Sequence, residues 1–223
     1  MTAFPGAWHY TNAMAEHPQP RISSIPPPFS GGRDEAIALA RRAASGDALA
    51  TRQLLENIAP RVVRATRAVL GAGHPEAEDA VQLALIGFIQ SLPGFRGECN
   101  PSLFAARIAV RTASGIRRRA RARHEGRDEA VDVDELAGGR GDPRAAARRE
   151  VVRTLLDDLP EEQGEALALR FMLGWSLSEI AETSGAPLNT VRSRLRLAKE
   201  ALRRRVEADP TLADHFGIGE EEP

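Results

Sequence analysis

The stretch "SLSEIAETSGAPLNTVRSRLRLAKEAL", residues 176–202, contains a short helical pattern, a break at Gly185 and a longer helical pattern rich in arginine. Ser176 and Glu179 have the spacing of a capping box, in which side chain and backbone of the two residues bond reciprocally. This spacing marks the start of the first helix. Glycine ends helices readily because it adopts a positive φ without steric cost. The stretch therefore predicts two helices joined by a tight turn.

The small and apolar residues of this stretch follow the offsets that a helix-turn-helix requires. Ala181 lets the two helices approach, Gly185 permits the turn, and Val191 locks the second helix onto the first. The second helix has an apolar inner face, made of Val191, Leu195, Ala198 and Leu202. Its opposite face is left for solvent or a ligand.

That outer face carries polar and basic side chains: Thr190, Arg192, Ser193, Arg196 and Lys199. An α-helix fits the major groove of B-DNA, where arginine can donate two hydrogen bonds to guanine. The alternative is an ordinary helical hairpin with a solvated basic face. Generic charged helices rarely also have the small-residue, glycine and valine spacing, so we expect this face to bind duplex DNA.

Composition limits the rest of the chain. Its 223 residues suffice for one medium domain or two small ones. Apolar residues make up 42% and aromatic residues only 4%, so a core must use Ala, Leu, Val and Ile, which suits packed helices. Cys99 is the only cysteine, which excludes an intrachain disulfide and a cysteine-based zinc cluster. Because no stretch approaches ~18 apolar residues and no signal pattern is present, we expect a cytoplasmic chain without membrane insertion.

The periodicity of the sequence changes along the chain and predicts an all-α protein with two small helical domains joined by a flexible linker. The first domain has three to four helices, and the second contains the helix-turn-helix. The predicted segments are a disordered Pro-rich extension (1–32), the first helical domain (33–120), the linker (121–142), the second helical domain (143–207) and an acidic tail (208–223).

Three apolar stripes define the helices of the first domain. One buried face is predicted at Leu55, Ile58, Val62, Ala65 and Val69. After Gly71 and with Pro75 at its start, the next helix has a stripe of Ala77, Val81, Leu85, Phe88 and Leu92. Asn100 can cap a third helix opened by Pro101, with Phe104, Ile108 and Thr112 facing inward.

The net charge of -1 hides a segregation of charge along the chain. A basic run at 117–123 is followed by an acidic stretch at 128–135, and Arg107, Arg111 and Arg118 recur at helical spacing. The run could contact DNA phosphates, or it could be a solvated run that balances the acidic linker. Both interpretations stay open at the level of sequence.

Two longer stretches resemble domains of a known family. "LPEEQGEALALRFMLGWSLSEIAETSGAPLNTVRSRLRLAKEALRRR" resembles the DNA-binding fourth domain of bacterial RNA polymerase sigma factors of the extracytoplasmic-function type, in the sigma-70 family. Upstream, "PEAEDAVQLALIGFIQSLPGFRGECNPSLFAARIAVRTASGIRRR" is similar to their second domain, above all at "AEDAVQ", "FRGE" and "RIA". The resemblance covers roughly residues 35–205, in the family's order.

The resemblance implies a division of labour between the two domains. The second domain would bind the -35 promoter element through the outer face described above. The first would bind core polymerase through Glu78, Asp79 and Gln82, although simple stabilisation of the helix dipole is an alternative for the first two. It would also bind the -10 element and the DNA backbone through Arg96, Phe104, Arg107, Arg111, Arg117 and Arg118.

Four positions depart from the family pattern. Leu83 stands where an acidic residue is usual, Ile89 and Phe104 where Trp is usual, and Arg111 where Asn is usual. Aromatic and polar side chains hold unstacked bases, so these departures predict promoter opening that is weaker than usual.

The resemblance implies three partners: RNA polymerase core, promoter DNA and an anti-sigma factor. His74, Cys99 and His124 lack ligand spacing, and no phosphate loop or paired-carboxylate pattern is present, so we expect no catalytic site, no metal and no cofactor. Two alternatives remain: a sigma-like protein that titrates an anti-sigma factor, and a helix-turn-helix regulator that acts without core polymerase, as a homodimer on palindromic sites.

Overall fold

The computed structural model describes residues 32–71, 73–124, 152–154 and 156–208. Within these ranges every regular element is a helix, which confirms the all-α class. The helices are α1 (Gly32–Ala44), α2 (Ala48–Leu70), α3 (Ala77–Ser91), α4 (Pro101–His124), α5 (Glu161–Leu167), α6 (Leu177–Ser184) and α7 (Leu188–Ala208). A 3₁₀ turn (Leu92–Gly94) follows α3, a π-helical turn (Ala168–Met172) follows α5, and residues 152–154 and 156–157 are also helical.

Several sequence predictions fall outside the described residues. These are the Pro-rich extension, most of the predicted linker and the acidic tail, together with the side chain of His124. The predicted domain boundaries therefore stay predictions. We call α1 to α4 the first helical group, and residues 152–208 the second helical group.

Helix α2 runs through the centre of the first group. Its N-cap is Asp47, whose carboxylate accepts a hydrogen bond of 2.9 Å from the Ala50 amide, and its C-cap is Gly71, where φ is +100°. The predicted buried face is confirmed at Ile58, Val62, Ala65 and Val69, whereas Leu55 is only half-buried.

The predicted buried stripe of α3 is confirmed at Ala77, Phe88 and Leu92 but not at its two middle positions. Ala80, Ala84 and Phe88 are fully buried, whereas Val81 and Leu85 are half-buried. Alanine allows the backbone of α3 to approach α2 and α4 closely, so the contact line runs through the small residues rather than the larger ones beside them. At the two middle positions the buried residue is thus the alanine that precedes the predicted one.

Helix α4 begins as predicted, with the Asn100 side chain accepting a 2.9 Å hydrogen bond from the Ser102 amide. Phe104, Ile108 and Thr112 are half-buried, not central to the core as expected. Alanine dominates the deepest positions of the first group, which include Ala36, Ala40, Ala50, Ala65, Ala80, Ala84, Ala105, Ala106, Ala109 and Ala113. Neighbours cover α4 on two sides, because α2 and α3 pack on one face and the second group on another.

The second group contains the helix-turn-helix, with the geometry expected. The Ser176 amide donates to the Glu179 carboxylate at 2.7 Å, and the Glu179 amide donates to the Ser176 hydroxyl at 3.1 Å. Gly185 lies in the left-handed region with φ +68°, and Val191 is completely buried between the two helices.

The two helical groups pack against each other. Helix α4 contacts α5 and α6, and α2 contacts the π-helical turn. Their buried residues form one continuous hydrophobic cluster. The sequence predicted two domains but gave no sign that they would share a packed interface. None of the helices in the described ranges is both long and apolar enough to span a bilayer.

Candidate nucleic-acid and protein-binding surfaces

The outer face of α7 is a regular basic surface. Arg192, Ser193, Arg196 and Lys199 are exposed, whereas Thr190 is half-buried. The orientation of this face is fixed from the other side of the helix, where Val191, Leu195 and Ala198 are buried. Packing thus brings the five predicted DNA-contacting residues onto one face of α7 or its edge.

The arginines of this face have partners on their own helix. Arg192 donates to the Asn189 side chain at 2.9 Å, and Arg196 donates to Glu200 at 2.7 Å. Exposed pairs at this spacing contribute only a few tenths of a kcal/mol, roughly 0.3–0.5. Both guanidinium groups can therefore exchange these partners for DNA at little cost.

Lys199 has a different environment from these arginines. Its ammonium group lies 5.3 Å from the centre of the Phe171 ring, within the range of a cation–π contact. Phe171 belongs to the π-helical turn and is itself exposed. The contact orients Lys199 toward one edge of the basic face.

Helix α4 carries seven arginines, and we call five of them the α4 arginine row: Arg107, Arg111, Arg117, Arg118 and Arg121. Arg107 donates to the Glu165 carboxylate and, at 3.2 Å, to the Thr183 carbonyl oxygen. Arg111 lies 2.7 Å from Glu161 and 3.9 Å from Glu165. All of these partners belong to the second helical group.

The C-terminal part of the row is paired in the same way. Arg117 donates to both carboxylate oxygens of Asp157 at 3.0–3.3 Å, Arg118 lies 3.7 Å from Glu161, and Arg121 pairs with Asp158. Sequence reasoning placed Arg107, Arg111, Arg117 and Arg118 on a face available to DNA. In the structure these four arginines pair with carboxylates of the second group, and their contact with DNA stays a prediction.

Two further residues predicted to meet the -10 element lie apart from the α4 arginine row. Arg96 is exposed, with its guanidinium 3.8 Å from the Glu98 carboxylate. Phe104 is half-buried in an aromatic cluster, its ring centre 5.5 Å from that of Phe95 and 6.1 Å from that of Phe88. Part of the Phe104 ring is thus already in contact with other rings.

Helix α3 presents the residues predicted to bind polymerase, together with an apolar stripe. Glu78, Asp79 and Gln82 are exposed at and just after its first turn. The exposed apolar side chains are Leu83, Ile86 and Ile89, at steps of three residues. The departures from the family pattern at Leu83 and Ile89 therefore face outward. Ile86 escaped the sequence analysis, although its spacing from Leu83 and Ile89 was the available signal.

A buried thiol and a half-buried guanidinium lie near the contact between the helical groups. Burial, followed by the charge of Glu182 in the second group, raises the pKa of the Cys99 thiol to about 11, so the thiol stays protonated at neutral pH. Burial also lowers the pKa of Arg61, opposed by the charge of Glu179, yet an arginine remains charged. In the described ranges, His, Cys, Asp and Glu side chains form no group that could hold a metal ion.

Comparison with known families gives two matches. The family "Sigma-70 region 2" matches residues 54–123, and the family "Sigma-70, region 4" matches residues 149–202. These spans hold the α4 arginine row and the helix-turn-helix, respectively.

Curated relatives resemble the chain over most of its length. An ECF RNA polymerase sigma factor, SigD of Mycobacterium tuberculosis, is 31% identical over 179 residues, covering 75% of this chain and 82% of the relative. ShbA of Streptomyces griseus, an ECF RNA polymerase sigma factor, is 30% identical over 167 residues, or 70% and 86% of the two chains. A solved structure, CnrH in complex with the cytosolic domain of CnrY, has a TM-score of 0.49 at 22% identity and covers 78% of this chain and 98% of that one.

Proposed function

Because this chain belongs to the sigma-70 family of RNA polymerase sigma factors, in the extracytoplasmic-function (ECF) group, we propose a separate promoter contact for each of its helical groups. As a sigma factor it directs the polymerase core to specific promoters and initiates transcription. Sigma factors are not an enzyme family, and the chemistry of RNA synthesis belongs to the polymerase. We assign the chain to the cytoplasm, where the polymerase core acts.

Helix α7 is the proposed reader of the -35 element. The observation that carries this role is the basic outer face of a helix that a capped partner helix and a buried valine hold in a helix-turn-helix. Thr190, Arg192, Ser193, Arg196 and Lys199 are the proposed contacts. Arginine at Arg192 and Arg196 would read guanine edges, because its planar fork matches the two acceptors of that base.

The first helical group is the proposed site of polymerase and -10 binding, within predicted domain limits of 33–120. On α3 the polar residues Glu78, Asp79 and Gln82 stand beside the apolar stripe of Leu83, Ile86 and Ile89. A mixed polar and apolar helix face of this kind suits a protein partner. The proposed -10 and backbone contacts are Arg96, Phe104, Arg107, Arg111, Arg117 and Arg118.

An anti-sigma factor is the third proposed partner, on the strength of family membership. The relatives do not favour the two alternatives, a protein that only titrates an anti-sigma factor and a regulator that acts without core polymerase.

Run-off transcription with purified core polymerase tests the proposal. We expect transcripts from a linear promoter duplex and more from the same promoter with a premelted bubble, because Phe104 offers less stacking surface than the usual Trp. Asp79→Ala should weaken core binding, whereas Glu56→Ala, an exposed carboxylate on α2, should leave it unchanged. Equal core binding by both variants would remove the proposed α3 contact.

A further inference from the structure

Lys199 is the only lysine of the chain, and it stands on the basic outer face of α7. Arg192 and Arg196 of the same face donate hydrogen bonds to side chains of their own helix. The contact that the structure shows for Lys199 is with the Phe171 ring, and no carboxylate among the described residues pairs with it. Its ammonium group therefore keeps its N–H donors available for a ligand.

Lys199 lies farther along α7 than the first arginine proposed to read a base. It follows Arg192 by two helical turns, a distance of about 10.5 Å along the axis, and stands on the same side of the helix. In a helix-turn-helix the N-terminal residues of the second helix reach the base edges. Because the major groove is only about 12 Å wide, a side chain two turns later lies near the wall of the groove, where the backbone phosphates are.

The aromatic ring next to Lys199 belongs to a turn with a buried support. Phe171 lies in the π-helical turn after α5, and Ala168 and Leu169 of that turn are completely buried. The Arg170 guanidinium donates to the Trp175 carbonyl oxygen at 2.7 Å, which ties the turn to the segment that follows it. Phe171 itself is 40% exposed, so this support holds its ring at the surface. Turns of this kind are rare and are frequent at functional sites.

A lysine that is already held over a ring loses less freedom when it binds a phosphate. The side chain of lysine is a flexible four-carbon stem, and ordering it opposes binding. The contact between Lys199 and Phe171 restricts the stem before DNA arrives, which reduces this entropic cost. The ring attracts the ammonium group through its π-electrons and uses no hydrogen-bond acceptor. Ring and phosphate can therefore hold the same cation together, whereas a carboxylate partner would compete with the phosphate.

We propose that Phe171 is a positioning residue for DNA binding, whose ring holds Lys199 at the wall of the major groove so that the ammonium group binds a backbone phosphate. The proposal rests on the proposed function in so far as α7 binds duplex DNA. It adds a residue outside α7 to that function. Arg192 and Arg196 read base edges, whereas the pair of Phe171 and Lys199 fixes the position of the helix on the DNA backbone.

The single lysine makes the contact with the ring directly measurable in the full chain. Reductive methylation with carbon-13 formaldehyde converts the Lys199 amine into a dimethylamine that keeps its positive charge, and gives a single lysine signal in the NMR spectrum. Methyl groups above an aromatic ring are shielded, so this signal should lie upfield of that of free dimethyl-lysine. Phe171→Leu should remove the upfield shift. Phe171→Trp should keep it, because Trp is the strongest cation–π partner.

DNA binding gives the functional measurement. Fluorescence anisotropy on a labelled random-sequence duplex reports the phosphate contact, since every sequence presents the same backbone. Phe171→Leu should weaken binding about two- to fivefold, the equivalent of a cation–π contact at an exposed site. Lys199→Ala should weaken it at least as much, and should flatten the plot of log K against log salt concentration by about one unit of slope, because one phosphate contact is lost. The conservative variant Phe171→Trp should restore the affinity.

The double variant separates positioning of Lys199 from any other role of the ring. In the Lys199→Ala background, Phe171→Leu should leave the DNA affinity unchanged, since the ring has no cation to hold. Leu49→Ala is the control for loss of exposed apolar surface, because Leu49 is a more exposed apolar side chain on α2, and it should leave the affinity unchanged too. Circular dichroism checks that each variant has the helical content of the wild type.

Three results would overturn the proposal. A wild-type methyl signal without an upfield shift would show that the ring does not hold Lys199 in solution, and this measurement needs no variant. Equal losses of affinity from Phe171→Leu in both backgrounds would show that the ring acts on DNA or on the fold directly. Both results leave the proposed function standing. Unchanged affinity and slope in Lys199→Ala would show that Lys199 meets no phosphate, and would remove this residue from the proposed function as well.

Discussion

The two arginine-rich faces of the molecule, on α7 and on α4, find their counter-charges in different places. On α7 the partners of Arg192 and Arg196 are three and four residues away on the same helix, and all of them are exposed. On α4 the partners lie at least 37 residues away and include the nearly buried Asp157 and Glu165. Two faces that look alike in the sequence are thus chemically different, one open to a ligand and the other already occupied.

The largest effect that should separate the two faces is on stability. We expect Arg117→Ala to lower the free energy of unfolding by about 3–5 kcal/mol, because it leaves the buried Asp157 carboxylate without its bidentate partner. Arg196→Ala, which breaks an exposed pair, should change it by less than about 0.5 kcal/mol. Urea denaturation followed by circular dichroism measures both. Similar small losses would show that Asp157 rehydrates when the interface opens.

The next largest effect is on DNA recognition, and it should be found for substitutions on α7 rather than for those on α4. Arg192→Ala and Arg196→Ala should each weaken binding to the cognate -35 duplex by about 1–3 kcal/mol and reduce discrimination against other sequences. Arg203→Ala is the matched control, since Arg203 is on the same helix and pairs with Glu207 at 2.7 Å. Anisotropy titrations on specific and random duplexes give the comparison. Equal losses on both duplexes would mean that these arginines contact phosphates only.

A smaller effect on stability tests the contribution of the capping box at the start of α6, the helix that packs against α7. Ser176→Ala removes the hydroxyl of the capping box and should destabilise the chain by about 1 kcal/mol. Ser178→Ala, at an exposed position within α6, should change stability by at most about 0.3 kcal/mol. The midpoints of thermal unfolding of the two variants measure this difference in stability. A midpoint for Ser176→Ala equal to that of the control would show that the box contributes nothing measurable.

The smallest effect at neutral pH concerns Cys99, beside the occupied face. Burial raises the pKa of this thiol from 9.0 to about 11, so the folded chain holds the proton more tightly than the unfolded chain. Its contribution to stability is fully present below pH 9 and is lost as the pH rises toward 11. The stability difference between wild type and Cys99→Ser should therefore be constant from pH 7 to 9 and shrink above it. A constant difference up to pH 11 would contradict the buried, protonated thiol.

The sequence was sufficient for the parts of the structure that depend on nearby residues. The capping box at Ser176, the turn at Gly185 and the buried face around Val191 all follow from spacing within one helical hairpin, and each is confirmed. The exposed face of α7 follows from the same periodicity. Its role in reading DNA stays a prediction.

The parts that depend on contacts between distant segments were beyond sequence reasoning. Nothing in the spacing of Arg107 or Arg117 indicates that Glu165 and Asp157 would meet them across the chain. The displaced stripe of α3 has a similar origin, because the depth of Ala80 and Ala84 depends on how closely three helices approach. Periodicity identifies the apolar side of a helix, but the neighbouring helices determine which residues of that side are most deeply buried.

The alanine-rich interior of the first helical group has a consequence for the thermal behaviour of the protein. Alanine exposes little apolar surface when a chain unfolds, and the heat-capacity change of unfolding grows with the apolar surface exposed. The heat-capacity change per residue of this group should therefore lie near the lower end of the usual range of about 12–15 cal/mol/K. A small heat-capacity change flattens the curve of stability against temperature. The first helical group should then keep nearly the same stability over a wide range of temperatures, with cold denaturation displaced to lower temperature.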